Sequence, residues 1–194
     1  MTQAQSDPSR ETPGSGAGAP PPSAPSPAPS PVRIERLDEG DWARLRDLRI
    51  ATLSTDPTAF GTRLEDEEQV AEAEWRRRVA GNRVLVAVVD GRDVGLSAVR
   101  PIENEPRTLK VSWVWVAPGL RGRQHGVSDA LIRRCIDEAR AAGAERLVLR
   151  VMTPNLRAQR LYARHGFRLT PVPAVEPAAP QPRTVEMVLP ISGD

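Results

Sequence analysis

The sequence predicts an α/β domain built on a mixed, mostly antiparallel sheet with at least one parallel crossover. Three observations lead there. Two helical stretches come early, at 41–53 and 65–80. Three strand-like runs follow over 83–118, two of them joined by a tight turn. Two strand–helix units then close the order, the first ending at 143 and the second at 166. A meander of strands requires antiparallel hairpins, and a strand–helix–strand order requires a parallel connection.

The folded part begins at Val32. VRIERL (32–37) alternates apolar and polar residues, as a strand with one buried face does. DWARLRDLRIATL (41–53) sets Trp42, Leu45, Leu48 and Leu53 at helical spacing, with Asp41 as N-cap. DPTAFG (56–61) is a turn that carries the bulky Phe60. EDEEQVAEAEWRRRVA (65–80) reads as one helix, acidic at its start and basic at its end as the helix dipole favours, and Gly81 and Asn82 stop it. RVLVAVVD (83–90) is almost wholly apolar, and Asp90-Gly91 turns the chain into DVGLSAVR (93–100). After the loop PIENEP, TLKVSWVWVAP (108–118) alternates. Val111, Trp113 and Trp115 go to one face, and Ser112, Val114 and Val116 to the other.

VSDALIRRCIDEARAAG (127–143) puts Leu131, Ile132, Cys135, Ile136 and Ala139 on one stripe. Arg133, Arg134, Asp137, Glu138 and Arg140 stand opposite, and Gly143 ends the helix. ERLVLRVM (145–152) is a strand. PNLRAQRLYARHG (154–166) is a short helix with Thr153 as N-cap and Pro154 at its first position. FRLT and TVEMVLP are late strands on either side of a Pro-rich loop, 171–182.

Composition bounds the rest. Residues 1–31 hold nine prolines among Gly, Ala and Ser. Such a segment buries too little surface to offset its ordering entropy and reads as a disordered or polyproline-like tail, leaving 32–194 as the domain. The tail lacks the basic start and apolar run of a signal peptide, and no later stretch is apolar for long enough to span a bilayer. The lone Cys135 excludes an internal disulfide and suits a reducing cytoplasm. A formal charge of +2, with 27 basic against 25 acidic residues and only 4% aromatics, gives no field or stacking platform for nucleic acid. Arg36, Arg44, Arg46 and Arg49 alternate with acids, the pattern of a solvated helix face.

The densest cluster of glycine and arginine is GLRGRQHGVSD (119–129), between a strand and a helix, where backbone N–H groups commonly cradle a phosphate. A P-loop needs G-x-x-x-x-G-K-S/T, yet Gly126 is followed by Val127 and no lysine is near. A dinucleotide fingerprint needs G-x-G-x-x-G at the start of a parallel sheet, and Gly119, Gly122 and Gly126 are spaced differently and lie late in the chain. Arg123-x-x-Gly126-x-Ser128 instead resembles the acetyl-CoA signature Q/R-x-x-G-x-G/A of the GCN5-related N-acetyltransferases, the GNAT family. NLRAQRLYARHGF (155–167) resembles the family's later N-x-x-A-x-x-L-Y-x-x-x-G-F element at Asn155, Ala158, Leu161, Tyr162, Gly166 and Phe167. DPTAFGTRLEDEEQVAEAEWRRR resembles a bacterial, small-molecule-type branch that carries A-F-G, then glutamates, then E-W-R.

The resemblance implies a GNAT fold, with a splayed parallel strand pair and flanking helices. It also implies transfer of acetyl from acetyl-CoA to a primary amine by direct attack, with no metal. The cofactor contacts are expected at Val116, Arg121, Gly122, Arg123, Gln124, His125, Gly126, Val127, Ser128, Asn155 and Ala158. Either Arg123 leads the motif, or Arg121-Gly122-Arg123 leads it and Gln124-His125 are inserted. Tyr162 is either the acid that protonates the departing thiolate or a core tyrosine; a phenol with pKa about 10 stays protonated at neutral pH. Asn155 either bonds the pantetheine arm or starts a helix.

Many relatives carry a basic carboxylate on the strand before the loop, and this strand has none. A carboxylate from 65–68, with Glu68 the candidate, or a water chain takes its place. Phe60 and Trp113 are expected to line the acceptor pocket. The acidic segment 65–74 tilts the acceptor toward cationic small molecules, and the protein is expected to be a cytoplasmic monomer or homodimer. The alternative is a GNAT-fold module that binds acyl-CoA without catalysis.

Overall fold

The computed structural model describes residues 31–170 and 184–191. The tail (apart from Pro31) and the loop 171–182 lie outside the described residues. The elements run β1 (Arg33–Arg36), α1 (Trp42–Thr55), α2 (Leu64–Glu68), α3 (Glu72–Ala80), β2 (Arg83–Val89), β3 (Arg92–Ile102), β4 (Glu105–Val116), α4 (Val127–Ala141), β5 (Arg146–Met152), α5 (Leu156–Arg164), β6 (Arg168–Leu169) and β7 (Thr184–Pro190). The strands form one seven-stranded sheet in the order β1-β2-β3-β4-β5-β7-β6, and every pairing is antiparallel except β4–β5. That parallel pair is bridged by α4, as a parallel crossover requires. Among the described residues no helix is long and apolar enough to cross a membrane.

Two buried clusters cover the two faces. Under α4 and α5 lie Leu131, Ile132, Cys135, Leu147, Leu149, Leu161, Tyr162 and Phe167. Under α1 and α3 lie Leu45, Leu48, Trp75, Val79, Leu96 and Trp115. Each large apolar side chain so buried contributes roughly 1.5–3 kcal/mol. Helix α4 sits tight on β3: a Cβ added at Gly95 would lie 2.9 Å from Leu131 Cδ1, so Leu131 would have to shift to admit one.

The structure departs from the sequence reading in several places. The helix read over 65–80 is two, because Ala71 is extended (ψ 153°) and the Val70 carbonyl accepts from the Trp75 indole at 3.1 Å. Strands β3 and β4 continue through PIENEP, turning where Asn104 adopts φ 63°. Asp41 precedes α1, but its carboxylate turns back to the Asp38 N–H at 3.0 Å, while Asp38 accepts from Gly40 N–H. Helix α5 is capped by Asn155, whose Oδ1 accepts from Ala158 N–H, and not by Thr153.

Strict alternation along β4 also fails. Leu96 pairs with Trp115 and Ala98 with Ser112, so Trp113 and Val114 both stand opposite Ser97. Trp113 takes φ 58° in this bulge. Val111 therefore faces the α4 cluster, while Trp113 and Trp115 face the α1 cluster.

Candidate active site

Strands β4 and β5 pair only through Thr108–Val111 and Arg146–Leu149. Beyond that, β4 runs on to Val116 and β5 to Met152 with no pairing between them, which opens a cleft in the middle of the sheet. The glycine-rich loop and the start of α4 stand at its mouth. Arg123–His125 form one tight turn, and Gly126 follows in the left-handed region at φ 67°. No side chain caps α4, so the N–H groups of Val127, Ser128 and Asp129 lack intrahelical acceptors. A Cβ at Gly126 would meet open space, so the loop presents bare backbone beside the helix start.

Two ion pairs brace this edge. Arg121 turns away from the loop: its guanidinium lies on Asp56 and its Nε donates to the Val116 carbonyl at 2.7 Å. Asp56 also accepts from the Trp115 indole at 3.0 Å. Burial alone would raise the Asp56 carboxyl, but Arg121 and these donors outweigh it and hold it below its ordinary value. Arg123 is left exposed next to Gly126. At the first turn of α4, Asp129 accepts from Arg164 at 2.9 Å and contacts His165 Nε2 at 2.8 Å, tying α4 to the end of α5. There too the partners outweigh burial and lower the carboxyl.

Tyr162 lies in the α4–α5 cluster, edge-on to Phe167 at 6.0 Å between ring centroids. Burial first, and the neighbouring Cys135 second, push its phenol above the ordinary value. Burial also pushes the Cys135 thiol up to about 12; it donates to Ser97 Oγ at 3.4 Å, which gives a packed neutral thiol.

On the other face, Arg49, Thr62, Glu67, Glu74, Arg77, Arg78, Asn82, Arg100 and Trp113 enclose a cavity of about 440 Å³. Its floor is a buried pair, with Arg49 1% and Glu67 2% exposed. Arg49 Nε donates to Glu67 Oε1 at 2.8 Å, and Arg78 Nη1 to Oε2 at 3.0 Å. The Arg49 guanidinium lies 5.5 Å from the Phe60 ring centroid and 5.1 Å from that of Trp113. Ser112 Oγ, one residue before the bulge, is buried without a hydrogen-bond partner.

These positions revise the sequence reading. Arg49 is not on a solvated face; it sits one residue past Leu48 on the inward side of α1, where Glu67 neutralises it. Glu68 is exposed, and its neighbour Glu67 turns into the cavity instead. Of the acidic segment 65–74 only Glu67 and Glu74 line the cavity. Both are held by arginines: Glu67 by Arg49 and Arg78, Glu74 by Arg77 and Arg78. Trp113 lines the cavity, and Phe60 backs it through Arg49. The structure brings Gly122–Ser128, Asn155 and Ala158 to the cleft end of the sheet, but takes Arg121 to Asp56.

Comparisons with known proteins agree with this architecture. The model of the acetyltransferase (GNAT) family matches residues 42–167. Uncharacterized N-acetyltransferases of Mycobacterium bovis and Mycobacterium tuberculosis are 36% identical over 86 residues, 44% of this chain and 53% of theirs. The match thus spans about half the length of these curated relatives. A GNAT acetyltransferase from Streptococcus pneumoniae superposes with a TM-score of 0.69 at 18% identity, covering 84% of this chain and 100% of that one. The yncA protein of Salmonella typhimurium, solved with its cofactor acetyl-CoA, gives 0.64 at 26% identity over 85% and 96%.

Proposed function

The chain belongs to the GNAT acetyltransferase family, and on that premise we propose that it moves acetyl from acetyl-CoA to a small primary amine by direct attack in a ternary complex. The observation that carries this reading is the cleft between β4 and β5, with bare helix-start amides at its mouth and an open side-chain cavity beside the β4 bulge. The residues fit acetyl-CoA: the uncapped amides of Val127–Asp129 and the open side of Gly126 suit a pyrophosphate at the positive end of α4. Acetyl-CoA supplies a thioester already activated for transfer.

The chain's residues do the rest. The loop Gly122–Ser128 would hold the pyrophosphate through the N–H groups of Val127 and Ser128, those of His125 and Gly126 being spent within the loop. Asn155, whose Oδ1 is spent on its cap, would offer its Nδ2 to the pantetheine arm. The bulge at Trp113–Val114 interrupts the ladder, and a backbone amide it leaves unpaired would serve to polarise the carbonyl. Tyr162, kept neutral by burial, retains its proton for the departing thiolate. Both cavity carboxylates are engaged by guanidinium groups, so the amine loses its proton to water. Its turnover then rises with pH until the free amine is deprotonated. A cavity of about 440 Å³ lies in the size range of small-molecule sites.

The test is release of free CoA thiol with a panel of amines. Turnover with at least one amine is expected; acetyl-CoA binding without release across the panel would favour the non-catalytic module, a reading that the two occupied carboxylates support.

A further inference from the structure

Resting on that reading of the cavity as the acceptor site, we propose that the acceptor is an amine that also carries a carboxylate, held by Arg49 and Arg100. Four guanidinium groups (Arg49, Arg77, Arg78 and Arg100) line the cavity against two carboxylates, Glu67 and Glu74. Both carboxylates are ion-paired with Arg49, Arg77 and Arg78, although Glu74 Oε2 is buried without a hydrogen bond. Four guanidinium groups against two carboxylates still leave an excess of positive charge. Arg49 is 1% exposed, its Nε is spent on Glu67, and its Nη1 has no hydrogen-bond partner. A buried donor left unpaired is costly, and a ligand oxygen removes that cost.

Arg100, across the cavity on β3, makes no ion pair among the described residues. It pairs in register with Lys110 of β4, so a second cation stands beside it. The Lys110 ammonium is lowered by burial, by Arg100 and by Arg150, with Glu186 the one opposing charge. A cationic amine with no anionic group would enter this field against repulsion. An amine with a carboxylate would place its oxyanion on the guanidinium groups, whose planar fork matches a carboxylate, and leave its nitrogen for the cleft. The Phe60 and Trp113 rings flank the Arg49 guanidinium and Glu67 holds its Nε, so the group is positioned before the ligand arrives.

The experiment compares matched pairs at saturating acetyl-CoA: lysine with cadaverine, arginine with agmatine, phenylalanine with phenethylamine. Thiol release from the full chain is the readout. The proposal expects kcat/KM at least about tenfold higher for the carboxylate member of an accepted pair. Arg100→Met should cut that ratio about 10- to 100-fold, mainly through KM for the carboxylate member. Arg49→Met should do the same, and Arg100→Met decides the matter if the Arg49 variant does not fold. Equal use of both members, preference for the decarboxylated amine, or no turnover of any carboxylate-bearing amine overturns the proposal. Turnover of the decarboxylated members separates the two levels: any of those results with such turnover leaves the acetyltransferase reading standing, whereas acetyl-CoA binding by calorimetry with no turnover of any amine, or no binding at all, removes both.

Discussion

The two faces of the sheet offer different groups to a ligand. On the α4 side the working groups are backbone amides: a loop with two glycines at positive φ and a helix start that no side chain caps. On the α1–α3 side they are side chains, four arginines and two glutamates drawn from α1, α2, α3 and β3. A backbone site needs permissive dihedrals and little charge, so it survives wherever a short motif is kept. A side-chain site depends on a balance of charges, and single residues reset its preference. The family motif therefore lies on the first face, and the acceptor proposed above rests on the second.

Four changes probe that division, from the largest expected effect to the smallest. Glu67→Ala leaves Arg49 buried without its counter-ion and should destabilise the fold by about 3–5 kcal/mol, read by urea unfolding. Such a loss breaks the acceptor side from its floor. Tyr162→Phe should lower kcat about 100-fold or more while leaving acetyl-CoA affinity close to wild type. Unchanged turnover would return Tyr162 to a packing role.

Gly126→Val forces a β-branched residue into φ 67°, at a cost of about 1–2 kcal/mol. Acetyl-CoA affinity should fall about tenfold, measured by calorimetry, with little change in amine KM at saturating cofactor. The smallest effect is in acid. Asp56 and Asp129 have carboxyls lowered in the folded state, so their contribution is complete above the ordinary carboxyl value near 4 and is lost as pH falls through the lowered folded one. Asp56→Asn should flatten the fall in Tm below pH 4 while the profile near pH 7 shifts uniformly.

The sequence carried the mixed, mostly antiparallel sheet and the α4 crossover, because each rests on local periodicity or on a turn residue. It misread what depends on contacts far along the chain. Nothing near Arg121 announces that Asp56, 65 residues earlier, will take its guanidinium. Nothing in ARLRDLRI separates buried Arg49 from its exposed neighbour Arg46, since the deciding residue, Glu67, lies on another helix. Glu68 is exposed while its neighbour Glu67 faces the cavity, on a chain that breaks at Val70–Ala71 where Trp75 captures a carbonyl. The bulge at Trp113 was likewise hidden, as the alternation of VSWVWV is regular and only pairing with β3 shows two residues opposite one.

Hydrogen exchange of the full chain with and without acetyl-CoA tests most directly the claim that cofactor recognition belongs to the backbone side alone. Protection is predicted at the amides of Gly122–Asp129 and at the start of α5, with α3 unchanged. Protection of α3 and the cavity floor with none at the loop would contradict it.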